Sequence, residues 1–167
     1  LEKEKGFDLL LQSVAQIAPQ HPQLILRIFG EGTQRKQLES LRAELGLTHQ
    51  VHLPGQVKDI FQQLSEADLF VMPSRIEGFG NALCEAMACG LPVIATNCMG
   101  PREIIRDGVT GILVPVEDAQ TLAQVISDLL NNTEKRMFLA RQAREIMRRV
   151  SLEEVMKQWN GLLAELS

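Results

Sequence analysis

The sequence predicts an α/β fold in which helices pack around a mostly parallel sheet. Short apolar runs alternate with longer amphipathic segments along most of the 167 residues, and glycine or proline punctuates the alternation. Short buried runs are typical of strands in parallel sheets, whereas apolar residues at helical spacing indicate covering helices. A chain of this length can form one domain with a substantial core.

The helices are predicted from apolar spacing and from their end signals. Asp8 lies near the start of an amphipathic segment with leucine, valine and isoleucine at helical spacing. Thr33 can cap the second helix and Gly46 ends it. Gly90 ends the helix that begins at Asn81. The predicted helices span residues 7–18, 34–45, 59–65, 81–89, 102–105, 119–130, 134–149 and 152–166.

Five short apolar runs predict the strands, and residues 1–6 resemble the end of a strand followed by a loop. Proline has no N–H to give to a strand ladder. Pro54 and Gly55 therefore stop the second run, and Pro73 stops the third. The predicted strands span residues 24–29, 51–53, 69–72, 92–95 and 112–114.

The loops after these strands are expected to lie along one edge of the sheet. In parallel α/β sheets, ligands bind beyond the carboxyl ends of the strands. The pattern itself therefore predicts a Rossmann-like arrangement with a binding site at that edge. The residues that follow predicted strands are Lys5 and residues 30–32, 55–58, 77–81 and 96–100.

Residues 73–90, PSRIEGFGNALCEAMACG, organise this edge. Gly78 and Gly80 allow backbone angles that other residues resist, and they leave room for an approaching ligand. The helix that starts at Asn81 presents free N–H groups and a positive dipole end, which suit a phosphate. Glu77 and Glu85 flank this helix end and can accept hydrogen bonds from hydroxyl groups. The combination predicts a pocket for a nucleotide sugar.

The spacing of Glu77 and Glu85 in EGFGNALCE closely resembles the E-x7-E motif of retaining glycosyltransferases with the GT-B fold. These enzymes form the glycosyltransferase group 1 (family 4) class. The resemblance continues through AMACGLPVIAT, GPREII and DGVTGILVP, and covers about residues 1–130. It implies a three-layer, Rossmann-like sandwich that is the C-terminal, donor-binding half of a longer enzyme.

The resemblance also assigns roles to residues of this chain. It implies that Glu77 accepts hydrogen bonds from the donor sugar and that Glu85 binds ribose hydroxyls. Lys5 matches a lysine that neutralises the diphosphate, and the family usually carries an arginine just before the position of Leu1. The backbone N–H groups expected against sugar and diphosphate belong to Gly78, Phe79, Gly80, Asn81 and Ala82.

Two further expectations concern the base and the core. Gln56 and Val57 resemble the segment that contacts the base through backbone groups. Phe79 is also expected to serve partly as a core anchor. No metal or other cofactor is expected, because the acidic residues lack clustered metal-ligand spacing.

These expectations describe a retaining hexosyltransferase that moves a sugar from a nucleoside diphosphate to a glycan or lipid-linked acceptor. UDP is the first expectation for the carrier, with GDP and ADP as alternatives. Lys5 and the helix amides would stabilise the departing diphosphate while Glu77 fixes the sugar. Residues 1–167 are expected to form a single nucleotide-sugar-binding domain. A final helix at residues 152–167 would pack partly toward an N-terminal acceptor half, and the domain alone is expected to bind donor without transferring sugar.

Composition excludes other classes of partner. The net charge of −4 argues against nucleic-acid binding, and no apolar run approaches the length of a membrane span. We expect a cytoplasmic protein, with peripheral association at the inner face of the membrane only through the full-length protein. Two rival functions stay open: a non-catalytic nucleotide-binding module on the same fold, and a glycoside hydrolase with paired carboxylates.

Overall fold

The computed structural model describes residues 1–144 together with Ile146, Glu154, Met156, Lys157, Trp159 and Asn160. Helices and strands alternate through this part, as predicted. The helices are α1 (Phe7–Ile17), α2 (Arg35–Glu44), α3 (Ile60–Ser65), α4 (Asn81–Ala88), α5 (Met99–Ile104), α6 (Ala119–Asn131) and α7 (Thr133–Ala143). The strands are β1 (Leu26–Phe29), β2 (Val51–Gly55), β3 (Phe70–Met72), β4 (Val93–Thr96) and β5 (Ile112–Val114).

All strand pairs within the described residues are parallel. β1 and β2 form a two-stranded sheet, and β4 lies between β3 and β5 in a three-stranded sheet. Parallel pairing places the carboxyl ends of neighbouring strands at the same edge, so the loops after β3 and β4 leave the sheet side by side. This is the edge at which the sequence predicts a site.

Helices cover both faces of the three-stranded sheet, and its central strand β4 shows the division most clearly. Ile94 packs into one apolar cluster with residues of α1 and α6. Val93 and Ala95 point the other way, into a second cluster with residues of α4 and α5. Side chains along a strand alternate between faces, so one strand contributes to both cores. The predicted three-layer α/β sandwich is confirmed.

Strand β2 runs further than the sequence predicts. We expected Pro54 and Gly55 to stop it at Leu53, yet both belong to the strand. Within the described residues β2 pairs with β1 alone, and an edge strand tolerates proline because one side needs no N–H. The Gly55 carbonyl also accepts a hydrogen bond of 2.8 Å from the Gly30 N–H, which keeps the end of the strand attached.

Thr33 does not cap α2, so this prediction was wrong. The residue before α2 is Gln34, and no side chain caps the helix. Thr33 instead donates its N–H and its hydroxyl hydrogen to the Glu2 carboxylate, at 3.1 and 2.6 Å. These bonds lower the pKa of Glu2, chiefly through the Thr33 hydroxyl. A partner outside the helix therefore displaced the local capping interaction.

Other boundaries shift by a few residues. The predicted loop before α1 contains a 3-10 turn at Lys3–Lys5. α5 begins at Met99 rather than at residue 102, so that Pro101 still lies in the first turn, where its missing N–H costs nothing. α7 confirms the start of the helix predicted at 134–149. Of the rest of that helix the structure describes Arg144 and Ile146. Of the predicted final helix, residues 152–167, it describes Glu154, Met156, Lys157, Trp159 and Asn160, all of them helical, and the other residues of both helices lie outside the described part.

Candidate functional site

The site is built on the loop at residues 73–80, which connects β3 to α4. Its first part is buried: Ser74 is 1% exposed, and its carbonyl accepts a hydrogen bond from the Thr96 hydroxyl at the end of β4. Its last residue, Gly80, has φ of 98° and directly precedes α4. That positive φ is costly for any residue with a Cβ, so glycine is required where the loop turns into the helix.

Two predicted site residues meet at this loop. Lys5 Nζ donates a hydrogen bond of 2.7 Å to Glu77 Oε2. The Glu77 side chain is 15% exposed and the Lys5 side chain 45% exposed. The pair therefore lies at a partly open surface, where a charged ligand can reach the ammonium group.

The N-terminus of α5 packs against the other side of the same loop. Gly100 donates its N–H to the Glu77 carbonyl at 2.9 Å. A Cβ on Gly100 would lie 2.7 Å from the Phe79 carbonyl oxygen, so a larger residue would displace the loop. The backbone of Glu77 and Phe79 is thus held between two neighbouring segments.

The first amides of α4 are available for an anion. Leu83 and Cys84 both donate their N–H groups to the Gly80 carbonyl. Asn81 and Ala82 are exposed, and their N–H groups have no partner within the described part of the chain. The first N–H groups of a helix lack intrahelical partners and carry its positive dipole end. This helix end therefore suits a phosphate oxygen.

Glu85 lies on the same helix, one turn beyond its start, and is half-buried. Its carboxylate makes no hydrogen bond or ion pair to any residue that the structure describes. An ionised carboxylate is an acceptor with room for several hydroxyl donors. Glu85 is therefore placed to accept hydrogen bonds from a ligand that occupies the end of α4.

Other predicted residues lie in different surroundings. Gln56 is exposed and Val57 half-buried, both in the segment directly after β2. No hydrogen bond within the described residues joins them to the loop at residues 73–80. Gly78 is exposed. Phe79 is 51% exposed and belongs to neither apolar cluster, so our expectation that it partly anchors the core was wrong.

Sequence reasoning missed Arg75, whose side chain is 18% exposed. Its guanidinium group forms a two-point ion pair with Asp8, at 2.7 and 2.8 Å, and also contacts Glu117. The hydrogen bond from Arg75 lowers the pKa of Asp8. The hydrogen bond to Asp8, and after it the one to Glu117, raises the pKa of Arg75. The one local signal was an arginine three residues after a predicted strand.

The site thus combines a cation and free helix amides with two carboxylates. Lys5 and the first amides of α4 can bind a diphosphate, and the two carboxylates can bind the hydroxyl groups of a sugar and a ribose. The described residues contain no cluster of three metal-ligating side chains. Among the same residues, no helix has the length and apolar character needed to cross a membrane.

Comparison with known protein families identifies the family of the chain. The family model described as glycosyl transferases group 1 matches residues 1–146. The chain belongs to the glycosyl transferases group 1 family. The predicted resemblance to group 1 glycosyltransferases is thereby confirmed at the level of the family.

Two relatives illustrate the range of this glycosyltransferase family. The chain is 32% identical over 163 residues to LpsE, a lipopolysaccharide core biosynthesis glycosyltransferase of Rhizobium meliloti. The match covers 97% of this chain and 47% of that protein. It is 37% identical over 168 residues to an exopolysaccharide phosphotransferase of Streptomyces coelicolor, of which it covers 18%. The chain therefore spans less than half the length of these relatives.

Solved structures match the glycosyltransferase fold closely. Anabaena HepE in complex with UDP superposes with a TM-score of 0.91 at 29% identity, over 99% of this chain and 46% of that one. HepE in complex with UDP-glucose superposes with a TM-score of 0.90 at 30% identity, over the same shares of both chains. The predicted Rossmann-like fold of the GT-B class is confirmed.

Proposed function

We propose that this chain is the donor-binding, C-terminal half of a retaining glycosyltransferase that uses a nucleoside diphosphate sugar. The observation that carries the proposal is the Lys5–Glu77 ion pair beside the amino end of α4, with Glu85 one turn along the helix. A cation and free amides serve a diphosphate, whereas the carboxylates serve hydroxyl groups. UDP is the proposed carrier because HepE, a solved relative in fold, binds UDP and UDP-glucose.

The proposed chemistry is electrostatic. As the bond between sugar and diphosphate breaks, negative charge grows on the diphosphate, and Lys5 together with the Asn81 and Ala82 amides stabilises it. Glu77 holds the sugar hydroxyls so that the reacting carbon keeps its position. The acceptor hydroxyl attacks on the face that the diphosphate leaves and passes its proton to the departing diphosphate oxygen, so this route needs no covalent nucleophile from the protein. Lys5 and the helix end offset the charge without a divalent cation.

The Lys5–Glu77 hydrogen bond sets the order of events. A diphosphate carries more negative charge than a carboxylate, so it competes with Glu77 for the Lys5 ammonium group. Once Lys5 turns to the diphosphate, the Glu77 carboxylate becomes free to accept hydrogen bonds from the sugar. Binding of the nucleotide part thereby prepares the sugar-binding part of the site.

The acceptor site is proposed to lie on an N-terminal half, partly packed against residues 152–167. The acceptor is a glycan or a lipid-linked sugar, and the protein works in the cytoplasm, with the inner face of the membrane as an alternative location. The names of the relatives, which concern lipopolysaccharide and exopolysaccharide, support this class of acceptor. By itself the chain is expected to bind donor and to transfer nothing.

The test is a thermal-shift and titration panel of UDP, GDP and ADP, with their glucose derivatives, on this chain. A ligand at about 100 times its Kd stabilises the fold by about 2.7 kcal/mol, and each kcal/mol raises Tm by roughly 2–4 °C at this size. We expect a shift with UDP and UDP-glucose, the same with and without EDTA. Absence of a shift with every nucleotide, or a shift that needs a divalent cation, contradicts the proposal.

The catalytic part of the proposal needs a separate measurement. The whole protein should transfer sugar from UDP-glucose or a related donor, with retention at the anomeric carbon, whereas this chain alone should not. The transfer result decides between the two functions. Nucleotide binding by this chain, together with no transfer by the whole protein on any glycan or lipid-linked acceptor, indicates a non-catalytic nucleotide-binding module instead.

A further inference from the structure

Arg75 lies just after β3, two residues before Glu77, and every N–H of its guanidinium group has a protein acceptor. Nη1 and Nη2 donate to the two Asp8 carboxylate oxygens at 2.7 and 2.8 Å. Nε and Nη2 donate to the two Glu117 carboxylate oxygens, the second at 3.2 Å. Nη1 also donates to the Lys3 carbonyl at 2.8 Å. The five donors of an arginine are therefore fully used, and Arg75 has none left for a ligand.

The backbone of Arg75 makes a further tie to the same region. Its N–H donates to the Glu4 carbonyl at 2.7 Å. Lys3 and Glu4 belong to the 3-10 turn that also contains Lys5. Side chain and backbone of Arg75 thus hold the turn that carries Lys5. The chain that continues from Arg75 reaches Glu77 two residues later.

The two carboxylates that hold Arg75 come from separate segments. Asp8 lies in the first turn of α1. Glu117 follows β5 and has φ of 61°, a conformation that residues other than glycine rarely adopt. The Arg75 contact accompanies this unfavourable backbone angle. The guanidinium group therefore joins the start of α1, the loop after β3 and the loop after β5 at the edge where the site lies.

We propose that Arg75 is a positioning residue that fixes the separation of Lys5 and Glu77 and thereby the affinity for the diphosphate and sugar of the donor. This inference rests on the proposed function. An ion pair between partly exposed side chains contributes little free energy, and the Lys5 side chain is 45% exposed, so the pair does not fix the position of its own two residues. The 2.7 Å separation of Lys5 and Glu77 is therefore set by the backbone segments that carry them. Arg75 holds both segments.

The test compares Arg75→Gln with Arg136→Gln. Arg136 donates to the Leu130 carbonyl at the end of α6, at 2.7 Å, and takes no part in the site. Uridine, UDP and UDP-glucose are titrated calorimetrically at a temperature at which circular dichroism shows both variants folded. We expect Arg75→Gln to keep the uridine affinity, to weaken UDP about tenfold and to weaken UDP-glucose further, because misplaced charged groups lose their hydrogen bonds. Arg136→Gln should change none of the three.

A conservative variant and a structure complete the test. Arg75→Lys keeps the positive charge but loses the planar fork that binds Asp8 at two points, so it should resemble Arg75→Gln. In the crystal structure of Arg75→Gln, Lys5 Nζ and Glu77 Oε2 should lie beyond hydrogen-bond distance. Equal weakening of all three ligands, uridine included, indicates a general structural role and overturns the proposal.

The outcomes separate this inference from the proposed function. If the parent chain binds UDP and loses it in Lys5→Ala, but Arg75→Gln behaves as the parent, the positioning role is wrong and the proposed function stands. If the parent chain binds none of UDP, GDP and ADP, the proposed function fails. The Lys5–Glu77 distance in Arg75→Gln then still decides the positioning role, and an unchanged distance overturns it.

Discussion

Lys5 Nζ lies 2.7 Å from Glu77 Oε2, although 72 positions separate the two residues along the chain. The two side chains are proposed to bind opposite parts of the donor, the diphosphate and the sugar. Their direct contact couples the two binding events, because neither group can serve the donor fully while it is bound to the other. The first prediction follows from this competition.

Lys5→Ala and Glu77→Gln should act differently on nucleotide and on nucleotide sugar. Lys5→Ala should weaken UDP about tenfold, since it removes the one side-chain cation proposed to bind the diphosphate. Glu77→Gln should keep or improve the UDP affinity, because it releases Lys5, and should weaken UDP-glucose relative to UDP. Isothermal titration of both ligands measures the difference.

The matched control for this experiment is Lys3→Ala, in the same 3-10 turn. It removes an equal charge two residues away, and the contact that Lys3 makes to Arg75 uses its backbone carbonyl rather than its side chain. Equal losses of UDP affinity in Lys3→Ala and Lys5→Ala would mean that net charge alone attracts the nucleotide. A loss of UDP affinity in Glu77→Gln would contradict the competition.

Glu85→Ala should remove the ribose contact. We expect about a tenfold loss of UDP affinity, in line with the loss of hydrogen bonds to a charged acceptor. The same substitution should leave the affinity for 2′,3′-dideoxyuridine diphosphate nearly unchanged, because that ligand has no ribose hydroxyls to donate. Glu44→Ala, which removes an exposed carboxylate at the end of α2, is the control. Equal losses for the two ligands would exclude a ribose contact.

Much of the architecture could be predicted because it depends on local pattern. Apolar spacing located α1 and α6, and Asp59 and Gly80 mark helix starts where the sequence placed them. The errors occurred where a distant partner outweighed a local signal. Thr33 has the chemistry of a helix cap, but the Glu2 carboxylate 31 positions away binds it.

The candidate site was predictable in part for the same reason. The loop and helix around Glu77 and Glu85 are contiguous, so their spacing in the sequence survives in the structure. Arg75 was not predictable, because its partner Asp8 lies 67 positions away and nothing in either local sequence identifies the other. Tertiary ion pairs of this kind become visible only once the fold brings their segments together.

Gly6→Ala and Gly46→Ala separate steric contact from backbone strain. Both glycines have positive φ, 66° and 71°, so alanine should cost about 1 kcal/mol of unfolding free energy at either position. A Cβ at Gly6 would lie 2.0 Å from the Pro73 carbonyl oxygen, whereas nothing lies within 4 Å of one at Gly46. Gly6→Ala should therefore lose roughly a further 1–3 kcal/mol in urea denaturation.

The same pair of variants also probes the site. Gly6→Ala should displace the turn that carries Lys5 from the loop that carries Glu77, and so weaken UDP binding under conditions in which the variant is folded. Gly46→Ala, which lies at the end of α2, should bind UDP as the parent does. Equal stability and equal affinity of the two variants would show that the contact between Gly6 and Pro73 does not hold the site.

The Asp8–Arg75 ion pair should make stability depend on pH in the acid range. The hydrogen bond from Arg75 lowers the pKa of Asp8 in the folded protein below its ordinary value of 3.8. As the pH falls, the unfolded chain therefore takes up this proton before the folded protein does. The contribution of Asp8 to the unfolding free energy is complete above the unfolded pKa and is lost as the pH falls through the lowered folded pKa.

Urea denaturation of the parent and of Asp8→Asn between about pH 7 and about pH 3 measures this contribution. The difference in unfolding free energy between the two proteins should stay constant near neutral pH and should narrow once the pH falls below about 4. In the Arg75→Gln background the same Asp8→Asn substitution should lose this dependence, because the group that lowers the pKa of Asp8 is gone. A difference that persists to the lowest pH, or that narrows equally in both backgrounds, would show that Asp8 does not act through Arg75.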